Sequence, residues 1–217
     1  MYVDWEHAHW SAHDIDLSQD MRDWASVAEP QRTLLLFALA SLMVAEERIS
    51  TQFCGLVLAQ DGEEEGSFLS SQLVDGALVS AHDRLVREPR NREAKVDFAT
   101  TYHMILEGTL GVTTSHFLLG LLRARAILPG FAKGYGLIAA DEGRHIAYAT
   151  QFLGRAVSEQ PEMAAVVRKR IQGLLPAVDA SLSPAGAEEI LGVKPGALLE
   201  HGMSAVQRRL NVIGVEL

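Results

Sequence analysis

The period of the apolar residues constrains this fold most. Long stretches rich in Leu, Ala and Met repeat at helical spacing, and no segment sustains period-two alternation of β-branched residues, so no sheet is assigned. Ser26-Val27-Ala28-Glu29-Pro30 combines a capping-box pattern with a proline near a helix start, and predicts one helix to about Ala59. Asp61-Gly62-Glu63-Glu64-Glu65-Gly66 is a solvated turn, followed by a second helix from about Ser67 to Arg87, closed by Pro89. A third is expected from about Arg92 to Leu128, with Gly108 and Gly111 as places for a break and Pro129-Gly130 as its end. A fourth covers about Phe131 to Val157, and Pro161 opens a shorter fifth to about Leu175. The expected organisation is an irregular arm over residues 1–29, a bundle over 30–182, and a helical appendage of the same domain over 183–217. Long helices joined by short turns pack as an antiparallel bundle, whose centre is a usual place for cofactors.

Bulk properties narrow the function classes. A hydrophobic fraction of 48% and a charged fraction of 22% over 217 residues suit one globular domain with a substantial core. The net charge of −9 argues against a nucleic-acid partner, because phosphate recognition needs clustered Lys and Arg. The one cysteine, Cys54, fits a reducing compartment. The opening Met1-Tyr2-Val3-Asp4-Trp5 has no basic and apolar leader pattern, so a cytoplasmic location is expected. The longest apolar stretches are interrupted by Glu, Arg or Gly, so no membrane insertion is expected.

Three groups of ionisable residues stand where apolar ones belong. Glu107 is the one charge in Met104-Ile105-Leu106-Glu107-Gly108-Thr109-Leu110-Gly111-Val112, and a carboxylate buried there must be paired, protonated or metal-bound. Its alternative is a place on a solvent stripe or in a salt bridge to an Arg. Glu142 and His145 stand at i and i+3 in Asp141-Glu142-Gly143-Arg144-His145, the Glu-x-x-His spacing that supplies an oxygen and a nitrogen ligand in carboxylate di-metal bundles. On the first helix, Leu35, Leu39, Leu42, Glu46, Ile49 and Phe53 form one stripe, although the other side is also apolar and periodicity does not choose between Glu46 and Glu47. Together they follow the order of a ferritin-like di-metal bundle, except that its Glu-x-x-His on the second helix is absent.

These motifs resemble the small subunit of class I ribonucleotide reductase and, within that superfamily, the ligand-binding oxidases with a manganese–iron or di-iron centre. Trp10 and Asp14-Ile15-Asp16-Leu17-Ser18-Gln19-Asp20 are similar to the entry segment of that family. Glu46-Glu47-Arg48-Ile49-Ser50 is similar to its first ligand helix, and Tyr102-His103-Met104-Ile105-Leu106-Glu107-Gly108 to its Tyr-Asn-x-Ile-Val-Glu-Gly signature. Leu128-Pro129-Gly130 matches the turn that follows, and Asp141 to Tyr148 the last ligand motif. The resemblance implies an all-α, ferritin-like four-helix bundle with extra C-terminal helices. It implies Glu46, Glu107, Glu142 and His145 as metal ligands, iron and/or manganese as cofactor, and an apolar lipid-like ligand. An electron donor and a homodimer through the first two helices are implied as well. Ile49 and Tyr102 fall where the oxidases place an aliphatic residue and a tyrosine joined by an ether cross-link.

The second helix departs from the pattern. In Gln72-Leu73-Val74-Asp75-Gly76-Ala77-Leu78-Val79, Gly76 replaces the bridging glutamate and Val79 the histidine. Asp75, His82 and His103 are candidate substitutes. The remaining two carboxylates and one imidazole can hold a single metal with open positions. The expected function is a metal-dependent oxidase or oxygenase, activating oxygen at reduced iron held by Glu107, Glu142 and His145. Glu46 would be fourth ligand or proton acceptor, and Tyr102 the nearest redox-active side chain. The alternatives are a catalytically silent binding or scaffold protein, and a ribonucleotide reductase radical subunit. The last is disfavoured because the end, Gln207 to Gly214, reads as a helix where that family has a long tail with a relay tyrosine.

Overall fold

A computed structural model describes residues 9–37, 39, 79–183 and 185–217, and these are helical with no strand among them. A 3₁₀ turn at Ala12–Asp14 leads into α1 (Ser18–Trp24), and α2 occupies residues 29–37. Then come α3 (Val79–Arg87), α4 (Arg92–Arg125), α5 (Pro129–Glu159), α6 (Met163–Leu182), α7 (Ala187–Leu191) and α8 (Ala197–Ile213). Glu46, Glu47, Ile49, Asp75 and Gly76 lie outside the described residues, as does the side chain of Val79.

The middle of α4 is the centre of the molecule. Asn91 caps its start by accepting from the Ala94 N–H at 3.2 Å. From Thr100 to Gly111 the helix widens to the π form, in which N–H groups reach back five residues instead of four. The expected break at Gly108 or Gly111 is therefore a change of winding, and the rod continues without interruption to Arg125. Around this segment pack α5, α6 and α8. Their buried faces supply Leu153, Ala156, Val167, Ile171, Val178, Leu182, Val206, Leu210 and Ile213 to one core with Val96, Met104 and Ile105.

α4 is long and apolar enough by length and composition to match a membrane span, contrary to the sequence expectation that such stretches are interrupted too early. Here more than half of that span is covered by other helices. Its central His103 and Glu107 are buried against protein.

Several boundaries differ from the sequence reading, each for a local reason. The entry arm is not irregular throughout, because it contains α1. Pro129 begins α5 instead of ending α4. Ala126 and Leu128 take left-handed backbone angles (φ 52 for both), which close one helix before the next starts. The arm then caps α5. Asp20, buried on α1, accepts from Gly130 N–H at 2.9 Å and from Phe131 N–H at 2.6 Å, and Asp23 accepts from Leu128 N–H at 2.9 Å. A Cβ at position 130 would lie 2.2 Å from the Asp16 carbonyl oxygen, so only glycine permits this docking. Asp20→Ala is expected to destabilise the protein by about 1–2 kcal/mol, read as a lower denaturant midpoint. An unchanged midpoint would remove the capping role.

α6 runs past the expected stop near Leu175 and carries Pro176 in its interior. Proline removes one backbone donor and costs about 3 kcal/mol in a helix interior. Val167, Ile171, Val178 and Leu182 nevertheless form a buried stripe on both sides of it, and that burial outweighs the penalty. From the C-terminal helices, α8 contributes Leu198, Val206, Leu210 and Ile213 of its buried face to the central core. Gly202 lets α8 approach closely, since a Cβ there would stand 2.5 Å from a Leu182 methyl and 3.2 Å from the Thr109 methyl.

Candidate functional site

The π form decides which side chains meet. With five residues per backbone ring, positions i, i+4 and i+5 share a face more nearly than in an α-helix. Tyr102 and His103 stand five and four residues before Glu107, and both reach it. The Tyr102 hydroxyl donates to Glu107 Oε1 at 2.6 Å, and His103 Nδ1 lies 2.9 Å from Oε2. From α5, His145 Nδ1 reaches Glu107 Oε1 at 2.9 Å. All four side chains are buried. The phenol and imidazole of Tyr102 and His103 also pack together, with ring centroids 4.2 Å apart, and Tyr148 meets His103 edge-on at 6.4 Å.

Electrostatics explains why Glu107 tolerates burial. Loss of solvent alone would raise its carboxyl, but its contacts with His103, and then with His145, hold it well below the usual carboxylate range. His103 is pushed the other way. Burial outweighs the attraction of Glu107 and lowers the imidazole. A carboxylate only accepts, so the His103 ring carries a proton on Nδ1 and donates it to Oε2. The ionised carboxylate thus sits in a cage of donors.

Glu142 is buried one turn before His145. It faces Gly111, one turn after Glu107: a Cβ on Gly111 would lie 3.4 Å from Glu142 Oε2. It also lines a cleft of about 290 Å³ with Ser115, His116, Arg123 and His201. There the rings of His116 and His201 stack at 4.4 Å, and His201 Nδ1 lies 3.1 Å from the Thr113 hydroxyl. Burial first, then the charges of His116, Arg208 and Arg209, lower His201.

Of the expected site residues, Tyr102, Glu107 and His145 converge directly, Glu142 occupies the adjacent turn, and Glu46 is outside the described residues. Asp141 serves structure: it accepts from the Trp10 indole at 2.8 Å and pairs with Arg144. His82 lies on α3 beside Asp83, at 3.6 Å. His103 is the residue the sequence underweighted. Its signal was the spacing to Glu107, which becomes a direct contact in this segment.

The donor types fit iron or manganese, which take carboxylate oxygen and imidazole nitrogen together. Ligand atoms about 2.1 Å from one ion and at right angles lie about 3 Å apart, close to the separation of Glu107 Oε1 and His145 Nδ1. Among the described residues, no three His, Cys, Asp or Glu side chains already form a complete cage.

No family model matches the chain. Solved structures do. The R2-like ligand-binding oxidase from Sulfolobus acidocaldarius aligns over 100% of this chain and 90% of its own, with a TM-score of 0.78 and 21% identity. A variant R2-like ligand-binding oxidase with an anaerobically reconstituted Mn/Fe cofactor aligns over 99% and 92%, with a TM-score of 0.82 and 22% identity. Another, with an aerobically reconstituted Fe/Fe cofactor, aligns over 99% and 92%, at 0.81 and 20%. The chain has the all-helical, ferritin-like fold of the R2-like ligand-binding oxidases.

Proposed function

We propose that this chain is a metal-dependent oxidase or oxygenase that binds iron or manganese through Glu107, Glu142 and His145, with Glu46 from the first helix, and acts on an apolar, lipid-like ligand. The observation that carries the reading is the Glu107 carboxyl buried in the protein interior and facing His145 Nδ1 at 2.9 Å. Buried charges are costly, and sites that keep them usually use them. The fold shared with oxidases whose structures hold Mn/Fe or Fe/Fe cofactors supports the choice of metal. When bound, iron or manganese would supply Lewis acidity and one-electron redox chemistry.

The chain's own residues do the rest. Glu107 and His145 present one oxygen and one nitrogen from two helices that cannot drift apart, because the core between them is closed. The hydrogen bond from Tyr102 orients Oε1, and the Glu107 carboxylate is placed to take the phenol proton. His103 fixes Oε2. Val96, Met104 and Ile105 exclude water on the inner side. This reading has the protein working as a cytoplasmic homodimer supplied by an external electron donor.

Elemental analysis of protein grown with iron and manganese together tests this directly, with anomalous scattering to place the ion. Stoichiometric metal in the natural chain, lost in His145→Ala while the fold persists, is the expected result. Protein that stays metal-free would sink the proposal. It would favour a silent binding or scaffold protein instead, the reading motivated by Gly76 and Val79 and by the absence of a complete cage among the described residues.

A further inference from the structure

The winding of α4 leaves a gap in its own hydrogen bonding. At the end of the π segment, the Val112 N–H reaches Glu107 O, five residues back, and Thr109 O, three back, and passes over the Gly108 carbonyl between them. The α-helix that follows pairs each N–H with the carbonyl four residues back. The carbonyl of Gly108 is skipped by the ladder. It is one bond from Glu107 and packed against α8, and an unmet buried carbonyl is costly.

A side chain from α8 fills the gap. Arg209 Nη1 donates to Gly108 O at 2.6 Å and to Ala205 O, one turn back on its own helix, at 2.8 Å. The second bond folds the side chain along α8 and presets the guanidinium for the first. Glycine at 108 suits the winding of α4 itself, since a Cβ would lie 2.6 Å from His103 O, whereas the 3.5 Å to Arg209 Cζ is an ordinary contact. The guanidinium is half-buried, which costs free energy that a merely solvated arginine would not incur.

We propose that Arg209 is a positioning residue that locks the π register of α4 by satisfying the skipped Gly108 carbonyl, and so holds Tyr102 and His103 both in reach of Glu107. In an α register the i−5 residue would rotate off that face, and Tyr102 would lose the carboxylate. This role concerns the arrangement of the site and is independent of whether a metal binds there.

The test uses the full, metal-free chain with ¹⁵N-labelled histidine, reading the hydrogen-bonded Nδ1 signals of His103 and His145, assigned against His103→Gln. Arg209→Met keeps the aliphatic stem and removes the donors, whereas Arg209→Lys keeps a donor. The expected result is loss of the His103 hydrogen-bonded signal in the Met variant at unchanged far-ultraviolet ellipticity, and its retention in the Lys variant. A folded Met variant with the natural signal overturns the role, as does equal loss in both variants. If the Met variant does not fold, Arg209→Ala is refolded with guanidinium or with tetramethylammonium, a cation without donors. Recovery with guanidinium alone supports the role, and recovery with both or neither overturns it.

Discussion

Glu107→Gln is expected to lower the stability of the metal-free protein by about 3 kcal/mol and to abolish stoichiometric metal binding. The two side chains have the same shape, so packing is preserved and the change is one of hydrogen-bond polarity. Glu107 accepts from Tyr102 and His145 on one oxygen and from His103 on the other. An amide offers one acceptor and one donor group, so at least one of these buried partners must face an N–H₂. The loss includes that desolvated, unmatched donor as well as the missing charge. Denaturant unfolding checks the stability and elemental analysis the metal.

A pH signature separates this loss from simple misfit. The Glu107 carboxyl is lowered in the folded chain relative to its ordinary value of 4.5. A group lowered on folding contributes stability above its unfolded value, and that contribution disappears as pH falls below it. The natural chain should therefore lose part of its advantage over Glu107→Gln below about pH 4.5. A difference constant through that window would show that the carboxylate charge is not what stabilises the cluster.

The second large effect concerns an apolar side chain. Leu210→Ala is expected to cost about 2–5 kcal/mol, because the side chain is fully buried where α8 meets the central core. Were this side chain on the surface, the truncation would fall within the small range of surface changes, about 0.5 kcal/mol. Thermal or chemical unfolding distinguishes the two. A coincident loss of the His103–Glu107 contact in the same variant would also be expected, since Leu210 is the neighbour of Arg209.

The helical class of the chain could be read directly. Apolar residues spaced for helices, with turns at Pro89 and after Glu159, leave no other class for this length, and the described helices follow. Glu107 was legible for a related reason: one charge in a run of apolar residues must be satisfied locally or exposed, and it is satisfied. The Glu-x-x-His spacing placed Glu142 and His145 on one side of α5, as any helix would.

What the sequence could not express was which partners those side chains meet. Nothing local distinguishes a π turn from an α turn over Thr100–Gly111. The wider winding is stabilised by groups about a hundred residues away, above all by Arg209 at the skipped carbonyl. Pro176 reads as a helix end until the core on both sides of it is known, and Asp20 reads as a polar loop residue until α5 arrives to be capped. Local spacing fixes the direction of a side chain from its own helix. Whether a buried charge finds its donors depends on how separate helices pack, and that is a property of the folded chain as a whole.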